Sequence, residues 1–339
     1  MKRFIIFIVS ISLCLPIVSG KRALLIGVGH YLAGSGWCEI NSTNDVELIN
    51  SVLQKDFVVS ILKDNDATFK GIEHSIDKLI QESLPGDTVL IHFSGHGQQV
   101  ITDSPDEPDG LDEALIPYDA YSNINEHYSG ENHFLDDYLS QKLNALRSKV
   151  GTKGLVVVTL DACYSGSSHR GPNEDKNAIY RGGADVLGYD LLSPDSQLVV
   201  RKKQIIQDET PIEIREAWSD LLIVSACKSN QKNREILIDG MHYGPLSYSM
   251  FLSFESTGLN DLKCWLNNIF NFMNSSSPLQ TPEVRTTISD LEPTCPSNAE
   301  EKTSEGESLE EDTNYIIIAT LLSSIILFCM VIWIMKKRK

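Results

Sequence analysis

The 339-residue chain is short of positive charge: 29 Lys and Arg stand against 46 Asp and Glu, a formal net of −17. A nucleic-acid binder needs a basic footprint to neutralise phosphates, and this composition does not supply one. Cysteine is sparse, seven in all, which excludes a disulfide-stapled miniature fold. Glycine (22) and proline (13) are too few for a collagen-like chain, and a 42% hydrophobic content is too high for a disordered one. The remaining class is a globular body of one large domain or two small ones.

Charge is missing altogether from two stretches. Phe4–Leu15 is apolar, follows Lys2 and Arg3, and precedes the small residues Val18-Ser19-Gly20. That is the pattern of a secretory signal over 1–20. Tyr315–Met335 is a run of 21 residues without a charge, long enough to cross a bilayer as a helix. Acids precede it and Lys336–Lys339 follow it. The positive-inside rule then predicts a single-pass type I membrane protein, with its body luminal or extracellular and 336–339 cytoplasmic. The Ser-, Pro- and acid-rich stretch 289–314 reads as a stalk. Lys336 and Lys337, fourth and third from the end, also resemble a dilysine address for return to the endoplasmic reticulum, although a basic stop is expected for orientation alone. In a luminal body the sequons at Asn41 and Asn274 would be glycosylated. Five cysteines remain in the body, Cys38, Cys163, Cys227, Cys264 and Cys295, an odd number that leaves a thiol unpaired unless another chain joins it.

The body alternates short apolar runs with helical stripes. Strands are expected at Ala23–Val28, Phe57–Leu62, Thr88–Phe93, Leu155–Leu160 and Leu221–Ala226. Helices are expected over Asn44–Lys55, Thr68–Leu84, Phe134–Val150, Pro245–Glu255 and Asp261–Met273. Such interleaving predicts an α/β fold with a mainly parallel sheet covered on both faces. Residues 164–217, with Gly171, Pro172, Gly182, Gly183, Pro194 and many charges, read as a linker inside the domain. They also contain Arg170, Lys176, Arg181, Arg201, Lys202 and Lys203.

The chemistry is expected just beyond two strands. One ends in Ser94-Gly95-His96-Gly97 and another in Asp161-Ala162-Cys163-Tyr164-Ser165-Gly166. Ligands of open parallel sheets bind outside the carboxyl ends of the strands. A thiol and an imidazole placed there form a nucleophile and its base, and flanking glycines let backbone N–H groups approach an oxyanion. Either residue alone would read as an ordinary loop histidine or a buried thiol. His92 lies within its strand and reads as a packed core residue.

Together, ALLIGVGHY, Asn44-Asp45-Val46, GDTVLIHFSGHG, DGLDEALIP, LDACYSG, LLIVSAC, HYGPLSYSMF and QTPEV resemble the metacaspases, a family in the caspase-like clan of cysteine proteases. The resemblance covers residues 21–288. It implies a caspase-like three-layer sandwich, His96 as the catalytic histidine, Cys163 as the nucleophile, and oxyanion N–H groups from Gly97 and Cys163. It further implies an acidic pocket formed by Asp45, Ser94 and Asp161, selective for protein substrates with Arg or Lys before the cut. Read alone, Asp45 is an acid that complements a helix dipole. Tyr164 stands where the family usually has His.

The acids at 103–113 (Asp103, Asp106, Glu107, Asp109, Asp112, Glu113) suit calcium chemically; a solvated acidic loop is the bland alternative, and the spacing is not that of an EF-hand. The resemblance favours calcium activation through Asp109, Asp112 and Glu113, and no organic cofactor is expected. Self-cleavage is expected in 164–217, which is long and polar and whose bases fit the implied pocket. Two alternatives stand beside the endopeptidase: a transamidase or legumain-type relative from the same clan, and a catalytically idle ectodomain used for binding.

Overall fold

The computed structural model describes residues 19–102, 110–164, 178–182, 185–188, 212–229 and 231–291. The stretches 1–18 and 315–335, expected to be a signal and a membrane span, lie outside these residues, as do the stalk after Leu291 and the tail. Among the described residues no helix is long and apolar enough to cross a membrane.

The centre is a six-stranded sheet. In chain order it receives β1 (Lys21–Gly27), β2 (Val58–Lys63), β3 (Thr88–Ser94), β7 (Leu155–Asp161), β8 (Asp220–Ser225) and β11 (Glu283–Thr286). Their spatial order is β11-β8-β7-β3-β1-β2. All neighbours are parallel except β11, which runs antiparallel to β8. The inner strands are near-continuous apolar runs because both faces are covered. Successive side chains point to opposite faces, so Leu24 and Ile26 of β1 join one core and Ala23 and Leu25 the other.

Helices α2 (Phe69–Glu82) and α3 (Asp136–Val150) cover the first face through Ile72, Ile76, Leu79, Leu143 and Leu146. The other face is covered by α1 (Ser42–Leu53), α4 (Pro245–Ser256) and α5 (Leu262–Ser276), whose Ile49, Met250, Trp265 and Ile269 are fully buried. Three layers result, as the sequence predicts. Helix starts follow local chemistry: Thr68 caps α2 by accepting from Gly71 N at 3.0 Å, and Asp261 caps α5 by accepting from Cys264 N at 2.9 Å.

Smaller pieces surround the sheet. Strands β4 (Gly97–Ile101), β5 (Leu111–Leu115) and β6 (Phe134–Leu135) form an antiparallel sheet, and β9 (Ile236–Ile238) pairs with β10 (Met241–Tyr243) as a hairpin. The linker is not wholly a surface loop. Its described residues 179–181 lie antiparallel to 233–235, with Arg181 N donating to Asn233 O and Glu235 N donating to Ile179 O, both at 2.9 Å.

Candidate active site

Strands β3 and β7 are neighbours, and Ser94 is in register with Asp161. His96 and Cys163 each lie two residues past that pair, so the topology brings them to one edge of the sheet. Gly97 follows at the start of β4. A Cβ on it would stand 2.8 Å from the Cys163 carbonyl oxygen and from the Tyr164 ring, so glycine is what lets the two turns approach this closely.

His96 is buried and tightly held. Its Nε2 lies 2.9 Å from Cys38 O. A carbonyl only accepts, so Nε2 carries the proton and Nδ1 is the free base. Among the described residues Nδ1 has no hydrogen-bond partner. Trp37 stacks on the imidazole with ring centroids 4.9 Å apart. The backbone N–H of His96 donates to the Tyr31 hydroxyl at 2.8 Å. Burial, the largest influence, pushes the imidazole down to about 4. It is therefore neutral at physiological pH and able to accept a proton.

The Cys163 thiol donates to Gln231 O at 2.7 Å. Cys227, two residues beyond the end of β8, is buried beside it. Its thiol is pushed well up, first by its hydrogen bond with Cys163 and then by burial, so Cys227 stays a neutral thiol next to Cys163.

The three pocket residues named from sequence converge. Asp45, Ser94 and Asp161 are all fully buried. Asp45 Oδ1 accepts from Gly244 N at 3.0 Å, and Oδ2 accepts from Ser94 Oγ at 2.7 Å. Asp161 Oδ1 accepts from Asn233 Nδ2 at 2.7 Å, and Oδ2 accepts from Ser247 N at 2.7 Å and Ser247 Oγ at 2.6 Å. His92 is packed, as expected of a core residue, with Nδ1 2.8 Å from Thr159 Oγ1 and Nε2 3.3 Å from Ser247 Oγ. It thereby supports the serine that orients Asp161.

Inside this pocket lies the side chain of Arg181, wholly buried. Its Nη1 is 2.6 Å from Asp45 Oδ2 and from Ser94 Oγ, and 3.5 Å from Asp161 Oδ1. Its Nη2 is 3.0 Å from Oε1 of a third buried acid, Glu235. Three carboxylates thus surround one cation. Burial pushes Asp45 up to about 6 although Arg181 pulls it down, while the carboxylates hold Arg181 firmly protonated. The next residue, Gly182, packs on Cys163: a Cβ there would stand 3.2 Å from the Cys163 Cβ and would collide with its carbonyl.

The sequence named the dyad and three pocket residues. It missed Arg181 as the occupant, Glu235 as the third acid, Cys38 as the carbonyl that fixes the tautomer, and Cys227. The acidic stretch is less complete. Asp109 lies outside the described residues; Asp112 is buried and Glu113 half-buried at consecutive positions of β5. Among the described residues no group of three or more His, Cys, Asp or Glu side chains is placed to hold a metal ion. Asp103, Asp106 and Glu107 also lie outside the described residues.

Comparison with known proteins gives the same picture. The family described as the caspase domain, Peptidase_C14, matches residues 20–290. Metacaspase-1 of Schizosaccharomyces pombe is 27% identical over 266 residues, covering 68% of this chain and 59% of the yeast protein. Metacaspase-1A of Aspergillus terreus is 25% identical over 283 residues, covering 74% of this chain and 67% of the relative. The match to the S. pombe relative thus spans under two thirds of that protein's length. The crystal structure of protein GSU0716 from Geobacter sulfurreducens shares the fold with a TM-score of 0.53 at 23% identity, covering 79% of this chain and 93% of that one. By fold and family match, this chain belongs to the caspase-domain family of cysteine-type peptidases.

Proposed function

We propose that the chain is an endopeptidase that cleaves after Arg or Lys and is made as a latent precursor that processes itself at Arg181–Gly182. One observation carries this reading. Arg181 ends a short segment paired antiparallel with 233–235, its guanidinium fills the acidic pocket, and Gly182 rests on Cys163. That is how a bound substrate strand would lie.

In the proposed reaction His96 Nδ1 takes the Cys163 proton, and the thiolate attacks the carbonyl carbon of the residue in the pocket. The backbone N–H groups of Gly97 and Cys163 hold the oxyanion. The C–N bond then breaks, His96 returns its proton to the leaving amine, and water hydrolyses the thioester. In the precursor the thiol instead donates to Gln231 O, so the first step requires it to turn towards His96.

The test uses the full chain and its Cys163→Ala variant against peptides with Arg, Lys, Asn or Asp before the cut, with N-terminal sequencing of any fragments. The expected result is cleavage after Arg or Lys and a fragment beginning at Gly182 that is missing from the variant. Preferred cleavage after Asn would favour a legumain-type enzyme, and no activity of any kind would favour an idle binding domain. Two further features are proposed from sequence alone. Calcium activation rests on the acids of 103–113 and is tested by assay in excess chelator. A type I topology rests on 1–20 and 315–339 and is tested by protease protection in microsomes.

A further inference from the structure

We infer that Glu235 makes this pocket select arginine over lysine; the inference rests on the proposed cleavage after basic residues and adds a residue that the pocket of Asp45, Ser94 and Asp161 does not include. The geometry divides the pocket in two. One part, made by Asp45 and Ser94 with Asp161 farther off, touches only Nη1 of Arg181. The other, Glu235, touches only Nη2. A guanidinium reaches both because its two terminal nitrogens form a rigid planar fork. A lysine has one nitrogen on a stem one atom shorter and serves one part at a time.

Glu235 is also prevented from turning away. Its Oε1 accepts from Asn41 N at 2.9 Å and its Oε2 from Asn41 Nδ2 at 2.7 Å. Its side chain is 0% exposed. A lysine seated on Asp45 and Ser94 therefore leaves a buried carboxylate that, among the described residues, faces the neutral donors of Asn41, with His242 Nδ1 at 4.0 Å beyond. An unmatched buried charge discriminates more strongly than a missing favourable contact, because the wrong ligand leaves it without a counter-charge. The backbone N–H of Glu235, which pairs with Ile179 O, is separate from this and survives a change of side chain.

The experiment is a Glu235→Gln substitution, which keeps size, removes the charge and leaves one acceptor oxygen; its amide nitrogen is accommodated when the Asn41 amide turns its Oδ1 towards it. Wild-type enzyme should turn over an Arg peptide at least about ten-fold better by kcat/KM than its Lys counterpart. In Glu235→Gln, with rates normalised to the fraction of processed chain, the Arg value should fall roughly ten- to a hundred-fold, the span of one charge-assisted hydrogen bond, and the Lys value should fall much less. Retained Lys turnover reports a folded enzyme.

Slow self-processing of the variant would lower both raw values, so a second measurement avoids turnover. The full-length Arg181→Ala chain, with its pocket vacated, is tested with and without Glu235→Gln for thermal stabilisation by N-acetyl-arginine amide and N-acetyl-lysine amide. The arginine preference should be present with Glu235 and lost once Glu235→Gln puts a neutral amide in place of the carboxylate. An unchanged Arg-to-Lys ratio in this binding measurement overturns the inference while leaving the basic-residue reading intact. Wild-type enzyme that cleaves after neither Arg nor Lys overturns both.

Discussion

At the scale of single residues, the pocket balances three buried carboxylates against one guanidinium. Removing one partner of a buried ion cluster is far more damaging than its net contribution, since the remaining charges stay desolvated. Arg181→Ala, made in the Cys163→Ala background so that no processing intervenes, should lower stability by about 3–5 kcal/mol. Arg181→Lys should lower it less. Denaturant midpoints measure both, and an Arg181→Ala midpoint equal to the parent would mean that the pocket tolerates being empty.

Asp45 gives the pocket a pH dependence. Burial raises its carboxyl to about 6 even with Arg181 beside it. Losing Arg181 removes an influence that lowers it, and admitting water relieves the burial that raises it, so in the proposed processed enzyme the vacated pocket should titrate in the same region. Below it Asp45 is protonated and the pocket loses a charge for binding the substrate cation. His96, pushed down to about 4, stays an unprotonated base throughout this range. The acid limb of kcat/KM for an Arg peptide, which reports the free enzyme, should therefore lie near pH 6. Alkylation of Cys163 by neutral iodoacetamide should show no break there. A shared break would assign the limb to the dyad instead.

At the scale of elements, the strongest packing lies under the sheet, where α5 presents Trp265 with no exposed surface. Its indole Nε1 has no hydrogen-bond partner among the described residues. Trp265→Ala should then cost about 3–5 kcal/mol through the cavity it leaves. Trp265→Phe loses no hydrogen bond and should cost markedly less. Chemical denaturation of both variants separates packing from polar loss.

The same scale explains what could be read from sequence. Strands β1, β3, β7 and β8 are apolar because both faces are covered, and that run length is visible in one dimension. Strands β4, β5, β10 and β11 are short and part-polar, and β6 and β9 are apolar but only two and three residues long, so none carries a comparable run. The β9–β10 hairpin did leave a signal: Asp239-Gly240 between Ile236–Ile238 and Met241–Tyr243, with positive φ at both turn residues (50° and 81°). Read that way, it would have placed Glu235 just ahead of a rigid hairpin. His96 and Cys163 were legible because strand ends are legible. Arg181 was not, because its place depends on pairing with residues some fifty positions away, and the linker's other bases compete with it on composition alone.

At the scale of the whole molecule, acid should unfold this protein through its histidines. His92, His96 and His133 are each pushed down to about 4 by burial. A depressed histidine contributes stability that is present above its unfolded value of 6.5 and is lost as pH falls through the folded value. Asp45 acts in the opposite sense. Its folded value is raised, so its contribution is greatest below 3.8 and disappears as pH rises through about 6. Near pH 5 unfolding therefore takes up three protons at the histidines and releases one from Asp45. From these four groups stability should fall by roughly 2.7 kcal/mol per unit of acidification there. The measurement is the denaturant midpoint of the Cys163→Ala chain between pH 4.5 and 6. His133→Gln should flatten the slope by about one proton, roughly 1.4 kcal/mol per unit, because His133 lies outside the proposed catalytic pair. If the slope is unchanged by that substitution, His133 is not held neutral by burial, and acid lability must come from groups other than His133.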